Sequence, residues 1–95
     1  MPYIRISVAR PRKGEEKRLE DIMKRIAQLV AESDGCLESY VLRPHDDSGE
    51  IARIAIYKDE DSAEHAAVSE KVMALRSEMH LLVEPGHEER AFFSI

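Results

Sequence analysis

The chain has 95 residues, the size of a single domain, and its 43% hydrophobic and 35% charged residues exclude a disordered chain. Its net charge of −5 argues against a nucleic-acid-binding protein, which would present a basic face. Apolar runs are too short to span a membrane, the N-terminus lacks a signal-peptide pattern, and the single cysteine, Cys36, cannot form an internal disulfide. We therefore expect one domain over residues 1–95, located in the cytoplasm.

The first half of the chain predicts a strand, a helix and a second strand. Apolar residues alternate over Tyr3–Ala9, as is typical of a strand, and residues 11–14 have turn chemistry. Helical spacing of apolar residues predicts a helix over residues 15–30, which ends before Gly35. Residues 36–43 form the second predicted strand.

The second half predicts a hairpin partner, a helix and a last strand. A polar turn over residues 44–49 leads to a strand over residues 50–57. Asp61 and Glu64 have the spacing of a capping box for the next helix, which has a possible break near Ser69 and ends before Pro85. Its buried face is predicted to contain Val72, Met73, Arg76, Met79 and Val83. Residues 89–95 alternate again and predict a fourth strand.

The resulting order, β-α-β-β-α-β, predicts an α+β ferredoxin-like fold. With right-handed crossovers, the two β-α-β halves interleave into a four-stranded antiparallel sheet that carries both helices on one face.

The two faces of this predicted sheet differ in polarity. In the first and third strands, one face is aliphatic and consists of Ile4, Ile6, Val8, Ala52, Ile54 and Ile56. The other is mixed and consists of Tyr3, Arg5, Ser7, Ala9, Ile51, Arg53, Ala55 and Tyr57. If the helices cover the aliphatic face, the protein can be a monomer. If they cover the mixed face, the bare aliphatic face marks an interface and a partly polar cavity lies under the helices. The strand pattern alone leaves both arrangements open.

Several short motifs resemble the antibiotic biosynthesis monooxygenase (ABM) family. After the first strand, turn and helix, Gly35-Cys36-Leu37 matches a strand opening of the family, and Tyr40 follows it. Tyr57 ends the third strand, an acidic turn comes next, and His65 and Ser69 lie in the helical segment that follows. The resemblance covers nearly the whole chain. It implies a dimeric α/β barrel, a homodimer whose sheets pack through Ile4, Ile6, Val8, Ile54 and Ile56.

Two positions depart from the family pattern. Tyr57 stands where the family commonly has Trp, and the chain contains no Trp. Counting from Tyr57 and Ser69 puts Ala66, rather than His65, at the usual place of the family's His. One residue turns a helical side chain by about 100°, so His65 takes that place only if the turn is one residue shorter. The Asn, Trp and His set of heme-degrading relatives has no counterpart here, which argues against heme oxygenation.

The resemblance implies a small-molecule enzyme that works without a bound organic cofactor. Cofactor-independent oxygenases of this family deprotonate a phenolic or quinol-like substrate, whose anion then reacts with O2. The candidate base is His65, the candidate cations are Arg53 and Arg5, and the candidate hydrogen-bonding groups are Tyr57 and Tyr40. One alternative is a non-catalytic dimer that binds a small molecule or serves as an accessory protein. Another is an interaction module whose cavity is filled by its own side chains.

Each candidate also has an ordinary structural interpretation. His65 is equally suited to an exposed or capping position early in a helix, and an ion pair with Glu38 or Glu89 would explain Arg5 and Arg53. His80 suits the C-terminal end of a helix dipole. No His, Cys or carboxylate motif has the spacing of a metal-ligand set, so no metal site is predicted.

Overall fold

Seven elements follow one another in the computed structural model, which describes residues 1–95. The strands are β1 (Tyr3–Ala9), β2 (Cys36–Leu42), β3 (Ile51–Tyr57) and β4 (Glu88–Phe93), and the helices are α1 (Glu16–Ala31), α2 (Glu60–Ala67) and α3 (Glu70–His80). The strands form one antiparallel sheet in the order β2-β3-β1-β4, so the predicted ferredoxin-like fold is confirmed. No helix combines the length and the apolar character needed to cross a bilayer.

Helix α1 supplies most of the core that lies against the sheet. Its side chains at Leu19, Met23, Ile26 and Val30 recur every three or four residues, and all four are fully buried or nearly so. This spacing places them on one face of the helix, which is the face that contacts the sheet. The Ser39 hydroxyl on β2 donates a hydrogen bond to the Ala27 carbonyl at 2.8 Å and joins the edge of the sheet to α1.

The second helical segment is divided in two, and the predicted break near Ser69 is confirmed. Ser69 caps α3, because its hydroxyl accepts a hydrogen bond from the Val72 N–H at 3.2 Å. Asp59 caps α2, where its carboxylate accepts from the Ser62 N–H at 2.9 Å. The predicted capping box at Asp61 is therefore wrong by two residues, since Asp61 already lies in the first turn of the helix.

The prediction that Met73 belongs to the core is also wrong. Met73 is 53% exposed, whereas its neighbour Val72 is buried and Met79 is completely buried. Because successive residues on a helix point about 100° apart, α3 cannot turn both Val72 and Met73 toward the centre of its buried face.

Gly35 has a steric role at the opening of β2. Its backbone is in the left-handed region, with φ of 85°, and a Cβ atom there would overlap the Ser62 side chain. The Gly35 carbonyl accepts a hydrogen bond from the Lys58 N–H at 2.9 Å. Only glycine therefore fits where the start of β2 approaches the end of β3.

All three helices lie on the mixed face of the sheet. The residues of that face that are buried are Tyr3, Ser7, Ala9, Ala55 and Tyr57. The opposite face, which we call the open face, consists of Ile4, Ile6, Val8, Ala52, Ile54 and Ile56, and each of these residues is only partly buried. They pair across β1 and β3, so the open face is a continuous aliphatic surface. Of the two arrangements that the strand pattern left open, the protein has the one with a bare aliphatic face.

The contrast between Met23 and Met73 yields a test of this core. Met23→Ala should lower the free energy of unfolding by about 2–5 kcal/mol, because it leaves a cavity between α1 and the sheet. Met73→Ala is the matched control and should change it by less than about 0.5 kcal/mol, since that side chain lies largely in solvent. Urea denaturation followed by circular dichroism measures both. Equal losses in the two variants would contradict this orientation of α3.

Candidate functional site

A cavity of about 190 Å³ lies between the mixed face of the sheet and the helices. Strands β1, β3 and β4 form its floor, and α1, α2 and α3 contribute to its walls. We call it the arginine cavity, because the side chains of Arg5, Arg53 and Arg76 line it. Its other polar lining residues on the mixed face are Tyr3, Ser7, Tyr57 and Glu89, and its apolar walls include Val30, Ala67, Val72 and Ala91.

Strand pairing places the polar groups of the floor next to one another. Ser7 on β1 lies between Arg53 on β3 and Glu89 on β4, because it pairs with both. Arg76 reaches the floor from α3, where its Nη2 donates to both carboxylate oxygens of Glu89 at 3.0 and 3.1 Å. The strands therefore fix Arg53, Ser7 and Glu89 side by side, and α3 adds the Arg76 guanidinium.

Three buried polar atoms of the protein have no hydrogen-bond partner, and all three belong to residues that line this cavity. They are Ser7 Oγ, Arg53 Nε and Arg76 Nε. An unsatisfied buried polar group costs about 1–3 kcal/mol, so such groups are uncommon in native proteins. Their convergence on one cavity marks a polar space in which water or a polar ligand would supply the missing partners.

Burial shifts the pKa values of two residues that line the cavity. It lowers the pKa of the Arg53 guanidinium, an effect that the neighbouring Arg76 charge strengthens and Tyr57 opposes. Burial likewise raises the pKa of Tyr57, although the nearby arginines pull it down. Tyr57 is therefore a neutral hydroxyl at pH 7. An arginine still keeps its charge, and the cavity thus presents a poorly solvated cation beside a hydrogen-bond donor.

The charge of the cavity is opposite to that of the chain. Four arginines and one acid, Glu89, line it, although the protein as a whole carries −5. Arg90 stacks its guanidinium on the Phe92 ring at 4.9 Å, which takes that charge toward the open side of the sheet. The remaining three guanidiniums outnumber the single carboxylate, so the cavity favours an anion.

The structure brings three of the five predicted site residues together. Arg5, Arg53 and Tyr57 all line the arginine cavity. Tyr40 does not, because it pairs with Ile54 and points to the open face, where its hydroxyl donates to the Glu38 carboxylate at 3.0 Å. The predicted place of Tyr40 at the cavity is wrong, since side chains alternate along a strand and its position has the opposite parity.

His65 lies outside the arginine cavity. It is exposed on α2 and borders a separate surface cleft together with Asp61 and Lys58. The adjacent Ala66 is 4% exposed and faces inward, as counting from Tyr57 and Ser69 indicated. No imidazole lies in the wall of the arginine cavity.

Sequence reasoning did not assign Ser7 or Arg76 to the site, and the ion pairs that it offered as an alternative interpretation of Arg5 and Arg53 are not formed. Neither Arg5 nor Arg53 pairs with Glu38 or Glu89, and Glu89 is bound by Arg76 instead. Arg76 had been assigned to the buried helix face and Ser7 to the mixed strand face. A polar residue on a buried face needs a polar partner. The predicted positions of Arg76 and Ser7 were therefore a signal in the sequence that both residues could belong to a polar site.

A comparison with protein-family models identifies the family. The model described as antibiotic biosynthesis monooxygenase matches residues 2–78, which is most of the chain. The chain belongs to the ABM family. The predicted resemblance is thus confirmed, and the ABM fold accounts for the sheet and helices described above. A search of curated protein sequences finds no significant match.

Several solved structures share this fold at low sequence identity. Rv0793 from Mycobacterium tuberculosis has a TM-score of 0.91 at 16% identity, covering 100% of this chain and 96% of that one. SnoaB, a cofactor-independent oxygenase from Streptomyces nogalater, has a TM-score of 0.85 at 18% identity, covering 99% and 93%. An ABM protein from Nitrosomonas europaea has a TM-score of 0.90 at 12% identity, covering 99% and 90%. At these identities the likeness establishes the fold.

The unpaired guanidinium of Arg53 makes a stability prediction. Arg53→Met should leave the free energy of unfolding unchanged or raise it by up to about 4 kcal/mol, because an apolar side chain of similar length replaces a buried charge without a partner. Arg76→Met is the contrasting control and should lower it, since Glu89 loses its cation. Thermal and urea unfolding measure both variants. If Arg53→Met lowered the free energy of unfolding by more than about 2 kcal/mol, Arg53 would have a partner that stabilises the fold, and its guanidinium would not be free to bind a ligand.

Proposed function

We propose that this ABM protein is a monooxygenase that oxidises a single-ring phenol or hydroquinone, bound as its anion in the arginine cavity. The observation that carries the proposal is the convergence of three unpartnered buried polar atoms on one cationic cavity. An oxyanion beside Arg53 and Arg76 would accept the hydrogen bonds that these atoms lack. Membership of the ABM family and the fold shared with SnoaB support the reaction class.

The size of the cavity limits the substrate. Pockets for drug-sized ligands occupy about 300–1,000 Å³, whereas an apolar cavity of about 150 Å³ is enough for benzene. A cavity of about 190 Å³ therefore suits one aromatic ring with its oxygen substituents. The apolar residues Val30, Ala67 and Val72 would contact the ring, and the arginines would contact its oxygen.

The arginine cavity would activate the substrate by stabilising its anion. A neighbouring cation lowers the pKa of an acid by about 1–3 units, and the effect is larger where water is excluded. A phenol next to Arg53 would then ionise near neutral pH and release its proton to solvent. Tyr57, which stays neutral, would donate a hydrogen bond to the phenolate oxygen. This route needs no imidazole in the cavity.

The proposed reaction consumes one O2 and balances without a further reductant. The phenolate carries electron density on some of its ring carbons. One of these carbons gives electrons to O2, and a new C–O bond forms there. Protonation yields a hydroperoxide. Loss of the hydrogen on the same carbon, with cleavage of the O–O bond, releases water and leaves a second carbonyl. A phenol and O2 thus become a quinone and water, with both electron pairs supplied by the substrate.

Oxygen uptake tests this function. With single-ring phenols and hydroquinones, the wild-type protein should consume O2 faster than the substrates oxidise alone. Arg53→Met should lower kcat by about 100-fold or more, because the anion loses its buried partner. The His65→Ala variant distinguishes two mechanisms. If His65 is the general base, as the sequence interpretation has it, turnover is lost; if the arginine cavity alone activates the substrate, the rate is unchanged. No uptake above autoxidation with any such substrate would contradict a monooxygenase.

A second candidate function is anion binding without catalysis. It is favoured by one observation, that no imidazole lines the cavity and that the single carboxylate there, Glu89, is already bound by Arg76. Saturable binding of 4-nitrophenolate, seen by its absorbance and lost in Arg53→Met, together with no oxygen uptake, would support this accessory role.

We also propose that two chains associate through the open face. Ile4 pairs with Ile56, Ile6 with Ile54 and Val8 with Ala52, so the aliphatic side chains form one surface across two strands. Large exposed apolar residues on the neighbouring strands, Tyr40, Leu42 and Phe92, extend it. An apolar surface of this extent usually marks an interface, and a second copy of the same sheet would bury it symmetrically.

The proposed dimer predicts a clear effect of charge on the open face. Wild-type protein should be a dimer at micromolar concentration, and Ile54→Asp should dissociate or unfold it, because a carboxylate would be buried without a partner. Gln28→Asp, on the exposed side of α1, is the control and should remain a dimer. Analytical ultracentrifugation gives the mass, and circular dichroism separates dissociation from unfolding. A folded wild-type monomer would contradict the sheet-to-sheet association.

A further inference from the structure

A second polar cluster lies where α3 ends and β4 begins. His80, His87 and Glu89 each offer one ligand atom, and these atoms all lie within 4.8 Å of one another. We propose that these three side chains bind one divalent first-row transition metal ion, such as Zn²⁺. The sequence predicted no metal site, because the three residues do not form a known ligand motif.

The fold brings the three side chains together from two elements. His80 is the last residue of α3 and lies one turn after Arg76, so both side chains project from the same side of the helix. The chain then turns at Pro85-Gly86, where Gly86 has φ of 95°, and returns as β4. His87 and Glu89 are two residues apart and therefore point to the same side of the extended chain.

The pairing of the strands fixes the carboxylate. Glu89 pairs with Ser7 on β1, and Arg76 holds both of its oxygens at 3.0 and 3.1 Å. Carboxylates that bind metals are commonly oriented by such hydrogen bonds. Glu89 Oε1 also lies 3.9 Å from His87 Nε2, which leaves this oxygen beside the imidazole. Glu89 is thus already held in place on the side that faces the two histidines.

The types of the ligand atoms indicate which ions the cluster would take. Two imidazoles and one carboxylate suit zinc and its first-row neighbours, whereas Ca²⁺ and Mg²⁺ prefer oxygen ligands alone. Three protein ligands also leave a coordination position open to water or another molecule. The ring centroids of His80 and His87 lie 5.0 Å apart with a tilt of 40°, so the two rings are direct neighbours.

The side chains need only small rotations to close on an ion. Ligand atoms about 2.0–2.2 Å from zinc in a tetrahedral site lie about 3.3 Å apart, which is shorter than the present limit of 4.8 Å. His80 is exposed and His87 is only partly buried, so both rings are free to turn. The Arg76 guanidinium opposes the added charge, and we expect weaker binding than in a site without a neighbouring cation.

A bound ion would connect an exposed strand to the helix layer. All six residues of β4 are exposed, and the strand pairs only with β1. An ion shared by His80 and Glu89 would tie β4 to the end of α3. Glu89 also lines the arginine cavity, so the ion would lie at its rim. This inference does not rest on the proposed oxygenase function.

Metal titration of the full chain, prepared without a histidine tag and stripped by a chelator, tests the proposal. Calorimetry and competition with a chromophoric chelator should show one Zn²⁺ per chain. His80→Ala, His87→Ala and Glu89→Gln should each weaken binding by at least about tenfold, because each removes one ligand. His45→Ala and His65→Ala are matched controls that remove an exposed histidine outside the cluster, and both should bind as the wild type does.

Thermal unfolding supplies an independent measurement. Zn²⁺ should raise the Tm of the wild type and of the two control variants, since an ion that binds only the folded chain stabilises it. It should raise the Tm of the three cluster variants less or not at all. Absence of binding, equal weakening in the controls, or binding that appears only as ions bridging separate chains would overturn the proposal.

Discussion

The helices of this protein cover the mixed face of the sheet and leave the open face bare, and the arginine cavity and the continuous aliphatic surface both follow from that arrangement. Because side chains alternate along a strand, Arg5 and Arg53 lie on one face of the sheet. Ile6 and Ile54 lie on the other. The face that the helices cover therefore determines which of these side chains are buried. Covering the aliphatic face would have made a fully apolar core and left the arginines in water. The observed choice places Arg5 and Arg53 under the helices, where each is only partly exposed, and presents a continuous aliphatic surface on the other side.

This arrangement has an energetic cost that is concentrated in one place. Ser7, Arg53 and Arg76 each retain a buried polar atom without a partner, whereas the α1 side of the core is closely packed around Leu19, Met23 and Ile26. An unsatisfied polar atom lowers stability unless a ligand completes its hydrogen bonds. The molecule thus combines a closely packed helix-on-sheet layer with a polar cavity. Ser7, Arg53 and Arg76 lower the stability of the free protein, and the same three side chains are suited to bind an anion.

Local patterns in the sequence predicted the helices and strands, but they predicted less well which way individual side chains point within them. The period of two over Tyr3–Ala9 and the helical spacing in α1 are strong signals, because a single face of each element is buried. Met73 was misplaced because Val72, Met73 and Met79 all fit one broad helix face by spacing, which does not show that the centre of the buried face passes through Val72 and Met79. Tyr40 was misplaced because the irregular pairing between Cys36 and Glu38 obscures the alternation of β2, so its parity could not be counted from the start of the strand.

The sequence by itself determined the order of the elements and the two unlike faces of the sheet, since both follow from spacing within a few residues. Tertiary structure decided which face the helices cover, which cation binds Glu89 and which histidines lie near it. Those outcomes depend on contacts between residues far apart in the chain: Arg76 reaches Glu89 across a turn, and Ser7 meets Arg53 only after β1 and β3 pair. Local periodicity cannot encode such contacts, because it reports how each element is oriented but not which elements pack against it.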